Sequence, residues 1–210
     1  MSFTALIDYG SGNLHSCGRA LLAAAGNAAA IRVTAKPEDV LAAERIVLPG
    51  VGHFADCAGA LRAIPGMVEA LEEAATRNGR PFLGICVGMQ LMADIGLEDG
   101  ETAGLGWIHG LVDGFVPAPG LPVPHVGWNE LMIPASHPVL EGLGANPHAY
   151  FTHSYAFRPE DETDVAAWCD YGAPFAAALA RGNLFGTQFH PEKSQKLGLT
   201  LLANFLKWRP

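Results

Sequence analysis

The feature that most restricts the fold of this chain is the way its first half alternates short apolar runs with helix-forming stretches. Phe3–Asp8, Ala28–Val33, Arg45–Leu48 and Pro81–Ile85 are β-branched or apolar runs of strand length. Between them lie Ala- and Leu-rich segments that read as helices: Leu14–Ala25, Pro37–Ala43 with Pro37 in its first turn, Met67–Arg77, and Val87–Ile95. Asn78-Gly79 supplies the residues that end a helix. Strands joined by helices require right-handed crossovers, and these build a parallel sheet. After Gly96 the texture changes. Pro117, Pro119, Pro122 and Pro124 exclude a long helix up to about Pro134, so short antiparallel strands and loops are expected there. Further strands are expected at Ala149–Phe157, Val165–Trp168, Phe175–Arg181 and Leu184–Gln188, with a last helix from about Ser194 to Trp208. The expected fold is α/β: one domain over 1–210 with a mainly parallel central sheet flanked by helices and a smaller antiparallel segment in the second half.

Half of the 210 residues are hydrophobic, enough for a large core without covalent staples. A formal charge of -8 argues against a phosphate backbone as partner, because such binding needs clustered Lys and Arg. Nucleic acid is not expected. The first residues lack a basic region followed by an apolar run and cleavage site, and no apolar stretch is long enough to cross a bilayer. A cytoplasmic protein is the expectation. Cys17, Cys57, Cys86 and Cys169 are widely spaced and read as thiols, with no paired zinc-ligand spacing.

The strongest local signal is Gly84-Ile85-Cys86-Val87-Gly88-Met89-Gln90, a cysteine between the end of an apolar strand and the start of a helix. A tight strand-to-helix turn exposes a nucleophile, the flanking glycines remove side chains that would clash, and the helix N-terminus favours a thiolate. The alternative is a structural Cys at the end of a core strand. A second signal, Thr187-Gln188-Phe189-His190-Pro191-Glu192-Lys193, ends a late strand and sets His190 two residues before Glu192. At the C-terminal edge of a parallel sheet, such an imidazole can act as base while the carboxylate orients it. Alone, the pair reads better as a turn histidine before Pro191 and a solvated charge. A third segment, Pro49-Gly50-Val51-Gly52-His53, follows the third strand and could turn a backbone N–H inward beside that of Val87. The alternative is an ordinary Gly-rich βα loop; a phosphate loop is disfavoured because Gly-Lys-Ser/Thr is lacking.

Together these segments resemble the class I, triad-type glutamine amidotransferases, in the order Cys, His, Glu. Ile7-Asp8-Tyr9-Gly10-Ser11-Gly12-Asn13-Leu14, Pro124-His125-Val126-Gly127-Trp128-Asn129 and Phe189-His190-Pro191-Glu192-Lys193-Ser194-Gln195 narrow the likeness to the glutaminase subunits of imidazole glycerol phosphate synthases. It spans Ile7 to Leu206. His53 departs from the small residue expected after Pro-Gly-Val-Gly, either as a bystander or as a group that tunes the oxyanion strand.

The resemblance implies a flavodoxin-like fold and glutamine as substrate. Catalysis would fall to Cys86, His190 and Glu192, with oxyanion donors from Val51, Gly52 and Val87. Gly52, Gln90 and the wall His153-Ser154-Tyr155 would contact glutamine, with a place in the core behind the site as the alternative for His153. No cofactor or metal is implied. The partner implied is a cyclase subunit with a (β/α)8 barrel, forming a heterodimer that receives ammonia, and Trp128 and Asn129, on a Pro-rich loop, with Tyr9 and Asn13 would face it. Trp128 packed in this chain's own core is the alternative for that residue. Rival readings are a glutaminase component of another class I amidotransferase, a catalytically silent glutamine-sensing module, and a flavodoxin-like nucleotide binder.

Overall fold

A computed structural model describes residues 2–26, 30–115 and 118–210. The expected strand start at Ala28 and the expected breaker Pro117 lie outside the described residues. Strands β1 (Phe3–Ile7), β2 (Ala30–Thr34), β3 (Arg45–Gly50) and β4 (Phe82–Cys86) alternate with helices α1 (Leu14–Ala25), α2 (Pro37–Ala42), α3 (Phe54–Ala63) and α4 (Met67–Leu71). α4 runs on into a π-helical turn, Glu72–Arg77, that ends at Asn78 and Gly79, the latter at φ 62°. α5 (Val87–Gln90) follows β4 directly. The second half holds β5 (Ile95–Gly96), β6 (Thr102–Ala103), β7 (Gly110–Gly114), β8 (His125–Glu130), β9 (His148–His153), β10 (Tyr155–Pro159), β11 (Val165–Asp170), β12 (Pro174–Arg181), β13 (Leu184–Thr187) and the closing helix α6 (Gln195–Lys207).

Among the described residues these strands form three sheets. The largest runs β11-β12-β13-β4-β3-β1-β2. From β13 to β2 its neighbours are parallel, and β12 and β11 extend it antiparallel. Strands β1, β3, β4 and β13 are buried at every residue, which is why each reads as a continuous apolar run. β2, at the edge, buries only Thr34. α1 packs on α6, and α2 and α3 pack on α4. A second sheet, β10-β7-β5-β6, and the antiparallel pair β8-β9 make up the expected second-half segment.

The structure corrects four details. Helix α3 was not expected, although its buried Phe54, Cys57, Ala58 and Leu61 fall at i, i+3, i+4 and i+7, the spacing of one helix face. The helix after Cys86 stops at Gln90 instead of Ile95, because the chain turns to give Ile95–Gly96 to the second sheet. Ala149–Phe157 is not one strand: it breaks at Ser154, and its halves pair with β8 and with β7. Trp128 and Asn129 stand on strand β8 rather than on a loop.

Candidate active site

The sheet brings the three sequence segments to one edge. β3 and β4 are in register from Ile46↔Phe82 to Gly50↔Cys86, so the Pro-Gly-Val-Gly loop leaves the sheet beside the cysteine. On the other side of β4, Thr187 pairs with Ile85, which delivers Gln188 and His190 to the same edge. Cys86 sits in the turn at φ 54°, ψ -114°, a region that disfavours any side chain. Its flanking glycines are required by close approach. A Cβ on Gly84 would stand 2.5 Å from the Gly88 carbonyl oxygen, and one on Gly88 would overlap the Leu48 carbonyl. Because α5 is a single turn, no long macrodipole stands behind the sulfur.

His190 and Glu192 form a buried pair, with imidazole Nδ1 2.8 Å from the Glu192 Oε1. A carboxylate on Nδ1 fixes that nitrogen as the donor and leaves Nε2 for chemistry. Nε2 is buried and has no hydrogen-bond partner among the described residues. Burial opposes protonation of His190, but the Cys86 sulfur and the Glu192 carboxylate outweigh it and raise the imidazole from 6.5 to about 9.

A cavity of about 450 Å³ opens over these groups. Cys86, Val87, Gly52, Gln90, His153, Ser154, Tyr155 and His190 line it. The catalytic and substrate residues named from the sequence, Glu192 apart, therefore share one wall, and Glu192 stands behind His190. Glu98, Thr152 and Lys193 also line the cavity and were missed. Glu98 comes from the turn after β5, whose position depends on tertiary pairing and carries no sequence signal. Its Oε2 also accepts the Phe54 N–H at 2.7 Å.

The other expected site residues lie around the cavity rim and on strand β8. Val51 N–H does not point into the cavity; it donates to Ser11 Oγ at 3.3 Å, while Ser11 Oγ donates to the Val51 carbonyl at 2.7 Å. His53 is the N-cap of α3, its Nδ1 accepting the Ala55 N–H, and its Nε2 lies 3.2 Å from Asp99. Tyr9, expected at the partner face, is 5% exposed and donates its hydroxyl to the Pro49 carbonyl at 2.7 Å, so it holds the loop from inside. Asn13 caps α1 through the Ser16 N–H and borders the cavity. Trp128 is 46% exposed, which removes the core alternative, and Val126 on the same strand is 55% exposed. Asn129 is half-buried and donates to the Asp170 carbonyl at 2.9 Å.

Behind the wall runs a one-way chain of hydrogen bonds. His153 Nδ1 donates to the Tyr155 carbonyl at 3.0 Å, so its Nε2 accepts from His125 Nδ1, also at 3.0 Å. His125 Nε2 then faces Asn129 Nδ2 at 3.5 Å. His125 is stacked between Tyr171 and Phe151. Burial pushes both imidazoles down to about 4, so they remain neutral at pH 7. All four cysteines are free thiols; burial pushes Cys17 up, and burial with Asp170 nearby pushes Cys169 up to about 12. No helix among the described residues is long and apolar enough to cross a membrane.

The family described as glutamine amidotransferase class-I matches residues 5–208. The protein named imidazole glycerol phosphate synthase subunit HisH from Rhodospirillum rubrum is 57% identical, covering 98% of this chain and 99% of its own. The protein of that name from Zymomonas mobilis is 54% identical, with 100% and 97% covered. Among solved structures, one described as a glutamine amidotransferase superposes with a TM-score of 0.73 at 20% identity, covering 97% of each chain. PurLQS from Thermotoga maritima gives 0.73 at 19%, covering 98% of each. At such identities the two structures speak for the fold alone.

Proposed function

Since the chain belongs to the class I glutamine amidotransferases, we propose that it is the glutaminase subunit of an imidazole glycerol phosphate synthase, working through Cys86, His190 and Glu192. The observation that carries the chemistry is the convergence on one cavity of a strained Cys86 elbow and a His190 whose Nδ1 is held by Glu192. Relatives bearing the HisH name at 57% and 54% identity over nearly their whole length support the choice of pathway. The whole chain, 1–210, acts as one amidotransferase domain in the cytoplasm.

Glutamine enters the cavity with its side-chain amide toward Cys86. The thiolate attacks the amide carbon, and the oxyanion is received by the Val87 N–H and by the Val51–Gly52 loop. His190 Nε2 gives its proton to the departing ammonia, leaving a γ-glutamyl thioester. Water then attacks, with His190 as base, and releases glutamate. Glu192 keeps the imidazole in one tautomer and stabilises its protonated form. Glu98 is placed to face the substrate's α-ammonium group, with Gln90, His153, Ser154 and Tyr155 around the remainder.

The loop at Val51 is in a resting position, its N–H engaged by Ser11. An oxyanion donor is worth ~3 kcal/mol in the transition state, so turning that peptide is an economical way to switch the enzyme on. Ammonia at neutral pH becomes ammonium, which is not a nucleophile, and a glutaminase is best kept slow until a synthase is docked. The partner is a cyclase with a (β/α)8 barrel. It meets the exposed face at Val126 and Trp128, with Asn129 at its margin, and Asn13 borders the cavity.

The test is glutamate release by the purified chain with and without the cyclase and its ribonucleotide ligand, with Cys86→Ala as control. Low activity alone that rises strongly in the ternary mixture and vanishes in the variant supports the assignment. Equal activity in both removes the pathway, and activity surviving Cys86→Ala removes the triad.

A further inference from the structure

One polar contact on the Cys86 sulfur lies outside the triad. Gln188 follows the last residue of β13, and its side chain is fully buried. Its Nε2 lies 3.7 Å from Cys86 Sγ, within reach of an N–H···S hydrogen bond. Which end of a carboxamide faces a neighbour has to follow from the hydrogen-bond network, and here a backbone group decides it. The Tyr155 carbonyl oxygen, which can only accept, lies 3.0 Å from Gln90 Nε2 and 3.0 Å from His153 Nδ1. Gln90 must therefore present its amino end there. The same nitrogen lies 3.0 Å from Gln188 Oε1 and supplies its second N–H to it. With its oxygen held in this way, Gln188 turns its NH2 toward the sulfur. Reversing Gln188 alone would set two amino groups against each other, and reversing both would set the Gln90 oxygen against the Tyr155 carbonyl.

We propose that Gln188 is a further catalytic residue of this site: its N–H holds the Cys86 sulfur as a thiolate, oriented through Gln90 by the Tyr155 carbonyl. The inference rests on Cys86 being the nucleophile of the proposed function. A donor to a charged acceptor is stronger than one to a neutral acceptor, so the contact favours thiolate over thiol and over the neutral thioester. When water cleaves the thioester, the C–S bond breaks, the electron pair stays on sulfur, and the same N–H receives the leaving thiolate. A carboxamide does not titrate, so this donor persists at every pH at which the chain is folded.

The experiment is alkylation of Cys86 by iodoacetamide across a pH series, on the full chain without glutamine, read from the mass of the peptide carrying Cys86. Gln188→Glu keeps the shape and the bond from Gln90 but, when ionised, sets an acceptor against the sulfur. Gln188→Met, apolar and of similar length, covers the case in which a buried carboxylate unfolds the site. The other titratable groups facing the sulfur are His190, Tyr9 and Cys57. Burial raises Tyr9 and Cys57, and all three are unchanged in both variants, so a difference between profiles reports on position 188. The pH of half-maximal alkylation is expected to rise by about one to two units, as for the loss of a hydrogen bond to a charged group. With the cyclase present, kcat for glutamine falls by about tenfold or more while KM stays within about twofold. A half-maximal pH unmoved in both folded variants overturns the inference, as does a raised KM with unchanged kcat. If Cys86→Ala is inactive and the profile does not move, only the role of Gln188 is lost. If Cys86→Ala remains active, the proposed function and this inference fall together.

Discussion

Replacing Ser11 by Ala should release the oxyanion loop without touching the catalytic groups. The Ser11 hydroxyl makes two contacts with Val51, donating to its carbonyl at 2.7 Å and accepting its N–H at 3.3 Å. Cys57 Sγ, 3.2 Å from the same hydroxyl and 3.5 Å from the Val51 carbonyl, offers only a weak substitute. A typical hydrogen bond contributes a net ~1 kcal/mol. Val51 is 42% exposed, so water recovers part of this and the two bonds together hold the resting loop by about 1 to 2 kcal/mol. The fraction of chains with the peptide turned toward the cavity should then rise about five- to thirtyfold. The ceiling is the partner-activated rate, because one oxyanion donor supplies ~3 kcal/mol. Coupled detection of glutamate from Ser11→Ala alone should show a rise of that size, with the rate in the cyclase complex unchanged and the stimulation ratio reduced by the same factor. A basal rate equal to that of the parent chain, in a variant with an unchanged unfolding midpoint, would refute the resting-loop argument. So would a parallel rise of free and complexed rates.

Trp128→Ala should leave the unfolding free energy within about 0.5 kcal/mol, because the indole is 46% exposed, yet weaken cyclase binding by about 2 kcal/mol or more in a titration of the two subunits; unchanged affinity would move the interface away from β8. Stability should fall in acid because of His125 and His153. Their folded pKa values of about 4 lie below the unfolded 6.5, so their contribution is present above about pH 6.5 and is lost as pH falls through 4. Thermal unfolding between pH 7 and 4 should show a shallower slope for His125→Phe than for the parent chain, and identical slopes would exclude a neutral buried pair.

How much was legible in the sequence depended on how local its cause was. Strands β1, β3 and β4 were visible because burial on both faces makes each an apolar run, and the Cys86 elbow was visible because Gly84 and Gly88 are demanded within five residues. Helix α3 was hidden by the Gly- and His-containing loop before it, although its apolar spacing was present. The break at Ser154 had no local cause at all: the residues on either side suit a strand, and only the choice of sheet partner divides them. The burial of Tyr9 is not legible from the sequence, because nothing in a βα turn announces that its hydroxyl reaches Pro49, forty residues away. The contacts of Gln188 with Cys86 and Gln90 likewise exist only once β13 and β4 are in register.

The backbone at Cys86 bears on how this protein can evolve. A side chain held at φ 54°, ψ -114° costs of order 1 to 3 kcal/mol relative to an unstrained residue, and glycine alone would escape most of that cost. Selection for stability would thus favour glycine at position 86, while selection for turnover keeps a cysteine there. A lineage released from the need for glutaminase activity would have a single substitution available that removes the nucleophile and tightens the fold. Loss of catalysis is therefore the downhill direction for this scaffold, and an inactive descendant carrying Cys86→Gly would be expected to melt later than its active parent.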